Sequence, residues 1–178
     1  MKQNKGFSLV EIIIVITIMT VLAGLMSVSV SLIFGLDAKK CAKQLEGYLN
    51  LAKTNALSKD AEELRIYRGS DQQYYVDFVE YYYTGEVTNP TLTSKVIQTE
   101  LIGKDTVTIT YTLTSGSTGQ IDVGKSITIG FHRSTGAFQA VKINDTQTAA
   151  YCTALTIARG TKQYTIEMIP ETGKHIIS

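Results

Sequence analysis

The sequence predicts an α+β fold, with one long N-terminal helix packed on an antiparallel β-sheet head. Three observations predict it. From Phe7 to Phe34 the chain is almost wholly apolar, with Glu11 as its one charge. After Gly35 the apolar residues continue only at helical spacing, with charges between them. From Ala61 to Ser178 short runs rich in Val, Ile, Thr and aromatics alternate with Gly, Ser and Asp turn residues.

Phe7 to Phe34 is 28 positions, enough to cross roughly 30 Å of hydrocarbon at about 1.5 Å rise per residue. The run Ile12-Ile13-Ile14-Val15-Ile16 is β-branched, which disfavours a helix in water. In lipid a helix is the single-segment conformation that satisfies its own backbone hydrogen bonds. Lys2 and Lys5 precede the run, and Lys39 is the next cation, so a cytoplasmic N-terminus and an extracytoplasmic remainder are expected. The run is too long for the core of a conventional secretory signal, and Leu22 to Ser31 offers no convincing small-x-small cleavage triplet. A plain membrane anchor leaves Glu11 unexplained, because a carboxylate in a span costs about 2.5–3.5 kcal/mol at mid-bilayer and less near the interface.

The second half of the helix carries Leu36, Cys41, Leu45, Tyr48, Leu49, Ala52 and Ala56 on one face. Lys39, Lys40, Lys43, Glu46 and Lys53 lie between them. The helix is expected to continue to about Leu57 and to stop before Ser58-Lys59-Asp60. Gly47 inside it costs about 1 kcal/mol relative to Ala.

In the head, strands are expected at 63–68, 74–79, 106–113, 126–131, 137–143, 154–158 and 163–169. Val107, Ile109, Tyr111 and Leu113 alternate with threonines, the period of a half-buried strand. The Tyr- and Thr-rich insert from Tyr81 to Thr99 reads as a loop. About 118 residues suffice for one core, so a single head domain over 61–178 is expected.

Enzyme chemistry finds little support. His132 and His175 are the sole histidines and show no metal-ligand spacing; no P-loop, GxGxxG or G-x-S-x-G is present. No cofactor is expected, and the chain reads as non-enzymatic. Asn144-Asp145-Thr146 matches a glycosylation sequon, a short and common pattern. Removing Lys2 and Lys5 turns the net charge of +1 into −1, which argues against a dedicated nucleic-acid surface. Arg65 and Arg68 beside the tyrosines from Tyr74 to Tyr83 are the one weak pointer to DNA. Ordinary core and rim tyrosines explain that run more simply. Cys41 and Cys152 would clamp helix to sheet if bridged. Sequence does not bring their Cα atoms within about 7 Å, and free buried thiols are the simpler reading.

The basic leader, Gly6-Phe7 and Glu11 resemble the class III signal of type IV pilins and pseudopilins. That resemblance implies cleavage after Gly6 by a prepilin peptidase, N-methylation of Phe7, and pairing of Glu11 with the terminal amine of a neighbouring subunit. It divides the chain into a leader (1–6), a transmembrane and assembly half-helix (7–34), an amphipathic half-helix (35–60) and the head. Many pilins carry a helix-kinking proline midway along the span; Val28 occupies that neighbourhood.

Leu49-x-x-Ala52-Lys53-Thr54-x-Ala56-Leu57 is similar to H-type pseudopilins of type II secretion systems. So are Ile127-x-Ile129-x-Phe131 with Gly136, and Tyr164-x-Ile166-x-Met168-x-Pro170-x-Thr172-Gly173-Lys174. The same positions resemble minor pilins of type IV and competence pili. The implied partners are other pilin or pseudopilin subunits, prepilin peptidase, an inner-membrane assembly platform and, before assembly, membrane lipid. The implied location is a single-pass membrane precursor that reaches the cell surface in a filament. A pilin-anchored adhesin or DNA receptor is the alternative.

Overall fold

The computed structural model describes residues 8–58, 62–84 and 91–178, without the side chains of 25–34, 83 and 91. Helix α1 (Leu9–Ser58) is continuous for 50 residues. It ends one residue beyond the expected Leu57, where Ser58 Oγ turns back to donate to the Thr54 carbonyl.

Eleven strands follow: β1 (Glu62–Arg68), β2 (Tyr74–Thr84), β3 (Thr91–Gly103), β4 (Thr108–Leu113), β5 (Thr118–Gln120), β6 (Ser126–Ile129), β7 (Lys142–Ile143), β8 (Thr146–Gln147), β9 (Cys152–Arg159), β10 (Lys162–Ile169) and β11 (Lys174–Ile177). They form two sheets rather than one, in the orders β3-β2-β1-β6-β7-β8 and β11-β10-β9-β4-β5. Every pairing between these strands is antiparallel. The chain builds part of the first sheet, then the second, and returns to each once, so neither sheet is a contiguous stretch of sequence.

The amphipathic face of α1 touches β1 and β3 of the first sheet and β9, β10 and β11 of the second. Ala38, Cys41, Ala42, Leu45, Leu49, Ala52 and Ala56 are all buried along it, the i, i+3, i+4 stripe of a helix with one packed side. Against them lie Leu64, Ile66, Val76 and Phe78 from one sheet and Ile109, Leu155, Ile157 and Ile166 from the other. Tyr74 links the two layers: its ring is fully buried and its hydroxyl accepts from the Ile109 amide at 3.3 Å.

Two expectations are corrected. The insert from Tyr81 to Thr99 is not a loop: β2 continues to Thr84, and β3 pairs with it over eleven registers. Residues 85–90 of that insert lie outside the described residues. Tyr and Thr favour strands, yet β3 is an edge strand with Leu92, Val96, Ile97 and Leu101 exposed. No period-2 burial signal therefore marks it in the sequence. Conversely, 137–143 is strand only at Lys142–Ile143. Phe138 turns inward against Phe131, with ring centroids 4.7 Å apart, and donates its amide to the Pro170 carbonyl instead of a ladder partner.

Lys53 ties the helix to the turn before β11, donating to the carbonyls of Thr172 and Gly173 at 3.1 Å each. Gly173 has φ +62°, and a Cβ there would meet the Gly136 carbonyl oxygen. Gly116 has φ +80° with nothing within 4 Å of such a Cβ. Gly116→Ala should therefore lose about 1–2 kcal/mol, the cost of the left-handed conformation alone. Gly173→Ala should lose at least about 3 kcal/mol, since backbone must also move. Denaturant titration of both variants checks the difference.

Candidate assembly site and its junction with the head

The helix begins at Ser8, whose side chain occupies the N-cap. Its carbonyl accepts from the amides of Glu11 and Ile12 at 3.0 and 3.2 Å. Its hydroxyl lies 3.4 Å from the Glu11 amide. Ser8-Leu9-Val10-Glu11 thus has the S-x-x-E spacing of a capping box. Glu11 sits in the first turn, where a negative charge also complements the helix dipole. This local role is one that the sequence reading overlooked, although the spacing was there to find. The Glu11 side chain is exposed and forms no ion pair among the described residues.

From Leu9 to Leu22 the helix has no packing partner among the described residues. Eleven large apolar side chains from Leu9 to Leu22 are each at least 49% exposed. A surface of that size marks an interaction site rather than a solvated one. Thr17 and Thr20 return their hydroxyls to the carbonyls of Ile13 and Thr17, at 2.8 Å each, and so add no free polar groups. Among the described residues no helix is long and apolar enough to cross a membrane. The described side chains of this run stop at Gly24, short of the roughly 20 residues a span needs. Gly6 and Phe7, the expected cleavage and methylation positions, lie outside the described residues.

Where the bare half meets the packed half, Asp37 forms an ion pair with Arg159 at the end of β9. Lys104, just after β3, approaches the same carboxylate at 3.9 Å. The Lys162 side chain lies beside Gly35. Both sheets thus grip the helix at its emergence.

Residues 1–27 match the family model for the prokaryotic N-terminal methylation motif. The chain carries a class III pilin signal. No curated protein and no solved structure matches the chain. The motif supports a type IV pilin-like or pseudopilin-like subunit. The observed helix on antiparallel sheets is consistent with the α+β pilin fold.

The two arginines weighed as phosphate contacts are committed elsewhere. Arg65 pairs with Asp77, its cross-strand neighbour, at 2.6 Å. Asp77 is buried and also accepts from Thr99 Oγ1 at 2.7 Å. Arg68 donates to the carbonyls of Gln72 and Asp105. Tyr74 is a core residue, and Tyr81 lies beneath the ammonium of Lys142, which itself pairs with Glu63 at 2.6 Å. Asp77→Ala should destabilise by about 2–3 kcal/mol. That is less than the roughly 3–5 kcal/mol of a fully buried pair, because Arg65 retains access to water. The denaturation midpoint measures it.

Cys41 and Cys152 are both free and buried, so no bridge clamps helix to sheet. Cys41 packs against Gly103 and Tyr74; Cys152 Sγ points to the Ala154 carbonyl at 3.4 Å. Burial pushes both thiols from 9.0 up to about 12. Because the folded values exceed the unfolded ones, stability is unaffected below pH 9 and falls as pH rises from 9 toward 12. At neutral pH native protein should resist thiol alkylation, and denatured protein should take up two labels. Mass spectrometry with and without denaturant reads this directly.

Proposed function

We propose that this chain is a minor pilin or pseudopilin, a non-enzymatic structural subunit of a type IV, type II secretion or competence filament. Prepilin peptidase cuts after Gly6, Phe7 becomes the methylated N-terminus, and the subunit polymerises through the bare half of α1. The precursor waits as a single-pass membrane protein with its N-terminus in the cytoplasm and its head outside. The observation that carries this reading is the division of one continuous helix: residues 38–56 are built into the head, whereas the apolar side chains from Leu9 to Leu22 stay exposed among the described residues. Lipid covers that surface before assembly, and the helices of neighbouring subunits cover it afterwards.

Glu11 then has two roles that separate experimentally. As the third residue after the Ser8 cap it suits the helix start, a position that Gln also fills. As a charge it pairs with the methylated amine of a neighbour, which Gln cannot do. In a desolvated helix bundle removal of one partner of such a pair costs roughly 3–5 kcal/mol. Glu11→Gln should therefore be processed normally yet assemble at least tenfold less well, close to Glu11→Ala. Counting each variant in sheared filaments tests this. Normal incorporation of Glu11→Gln would reduce Glu11 to a helix cap. The intact mass of membrane-extracted protein beside a Gly6→Ala control tests processing: loss of residues 1–6 with one added methyl supports the reading, and an uncut chain sinks it.

A further inference from the structure

The head presents five exposed lysines at the level where α1 leaves it. Lys39, Lys40 and Lys43 share one exposed helix face, since i+3 and i+4 neighbours lie side by side. Exposed Leu36 lies on the same stripe, one turn closer to the apolar run, and these four residues with Gln44 line one shallow concavity. Lys104 from the β3–β4 connection and Lys162 from the start of β10 reach the same level, against Asp37 and Gly35 respectively. The acidic groups nearby are Asp37, already held by Arg159, together with Glu46 and exposed Asp105. The rim is cationic in a chain that is otherwise nearly neutral.

We propose that this lysine rim docks the head on the anionic phospholipid headgroups of the leaflet from which the helix emerges. The inference rests on the reading of 7–34 as a membrane span. Lys39 and Lys43 lie five and nine residues beyond Phe34, about 8–14 Å along the helix at 1.5 Å per residue. The headgroup layer is roughly 5–8 Å thick, and the Debye length adds about 8–10 Å. All five ammonium groups are thus within the field of a charged leaflet, with Leu36 entering the interface beneath them.

The placement is otherwise costly. Cations on the translocated side oppose the positive-inside bias, and three flank the far end of the run within ten residues against Lys2 and Lys5 before it. Attraction of about 1 kcal/mol per lysine to an anionic surface offsets that opposition. It would also hold the precursor's head upright on the bilayer, and release of the rim would accompany extraction into a filament.

The test uses the full chain reconstituted into phosphatidylcholine vesicles, with and without phosphatidylglycerol. Flotation reads membrane insertion. Lysine acetylation read by peptide mass spectrometry reports the rim, with exposed Lys95, Lys125 and Lys174 as references within the same molecule. Lys39, Lys40, Lys43, Lys104 and Lys162 should react about fivefold more slowly than the references when phosphatidylglycerol is present, and high salt should abolish the difference. Combining Lys39→Gln, Lys40→Gln and Lys43→Gln should also weaken protection at Lys104 and Lys162. A chain that floats with both vesicles but reacts identically in each overturns the rim proposal alone and leaves this face to a protein neighbour. A chain that floats with neither overturns the membrane-span reading and the rim proposal with it.

Discussion

The buried stripe on α1 is the contact through which helix and head become one body. Seven residues from Ala38 to Ala56 are removed from solvent there, and four of them are alanines, which let the helix axis approach the strands closely. Leu45 and Leu49 fill the centre, and burial of each side chain is worth about 1.5–3 kcal/mol. The stripe faces β1 and β3 on one side and β9, β10 and β11 on the other, so it closes the gap between two sheets that share no strand pairing among the described residues. Without it, Leu64, Ile66, Ile157 and Ile166 would lose a common partner.

That seam fixes residues 38–56, and the preceding part of the helix continues from it without a break. At the start of the seam the ion pair of Asp37 with Arg159 and the approach of Lys104 connect the helix to both sheets.

Charge is distributed along the same axis. At one end Glu11 is exposed, in a segment with no other charge. In the head Arg65, Arg68 and Lys142 are consumed by Asp77, backbone carbonyls and Glu63. Between them the lysines at the base of the head remain exposed. The arrangement leaves exposed charge at the helix start and at the base of the head, and paired charge within the folded core.

The sequence by itself determined the long helix, its division near Gly35, the β-rich head and the methylation signal. Each of these depends on short-range quantities: apolar run length, 3.6-residue periodicity, turn residues, and fixed spacing between Gly6, Phe7 and Glu11. It did not reveal that Tyr81 to Thr99 contains strand, because an edge strand with exposed Leu92 and Ile97 carries no burial alternation. Nor did it show that 137–143 is largely irregular, since Phe138 finds its partners in Phe131 and Pro170. The partition into two sheets, the burial of both thiols unbridged and the commitment of Arg65 to Asp77 were decided by tertiary structure alone. All three depend on which distant strands lie side by side, and local composition is nearly the same for every pairing those strands might have made.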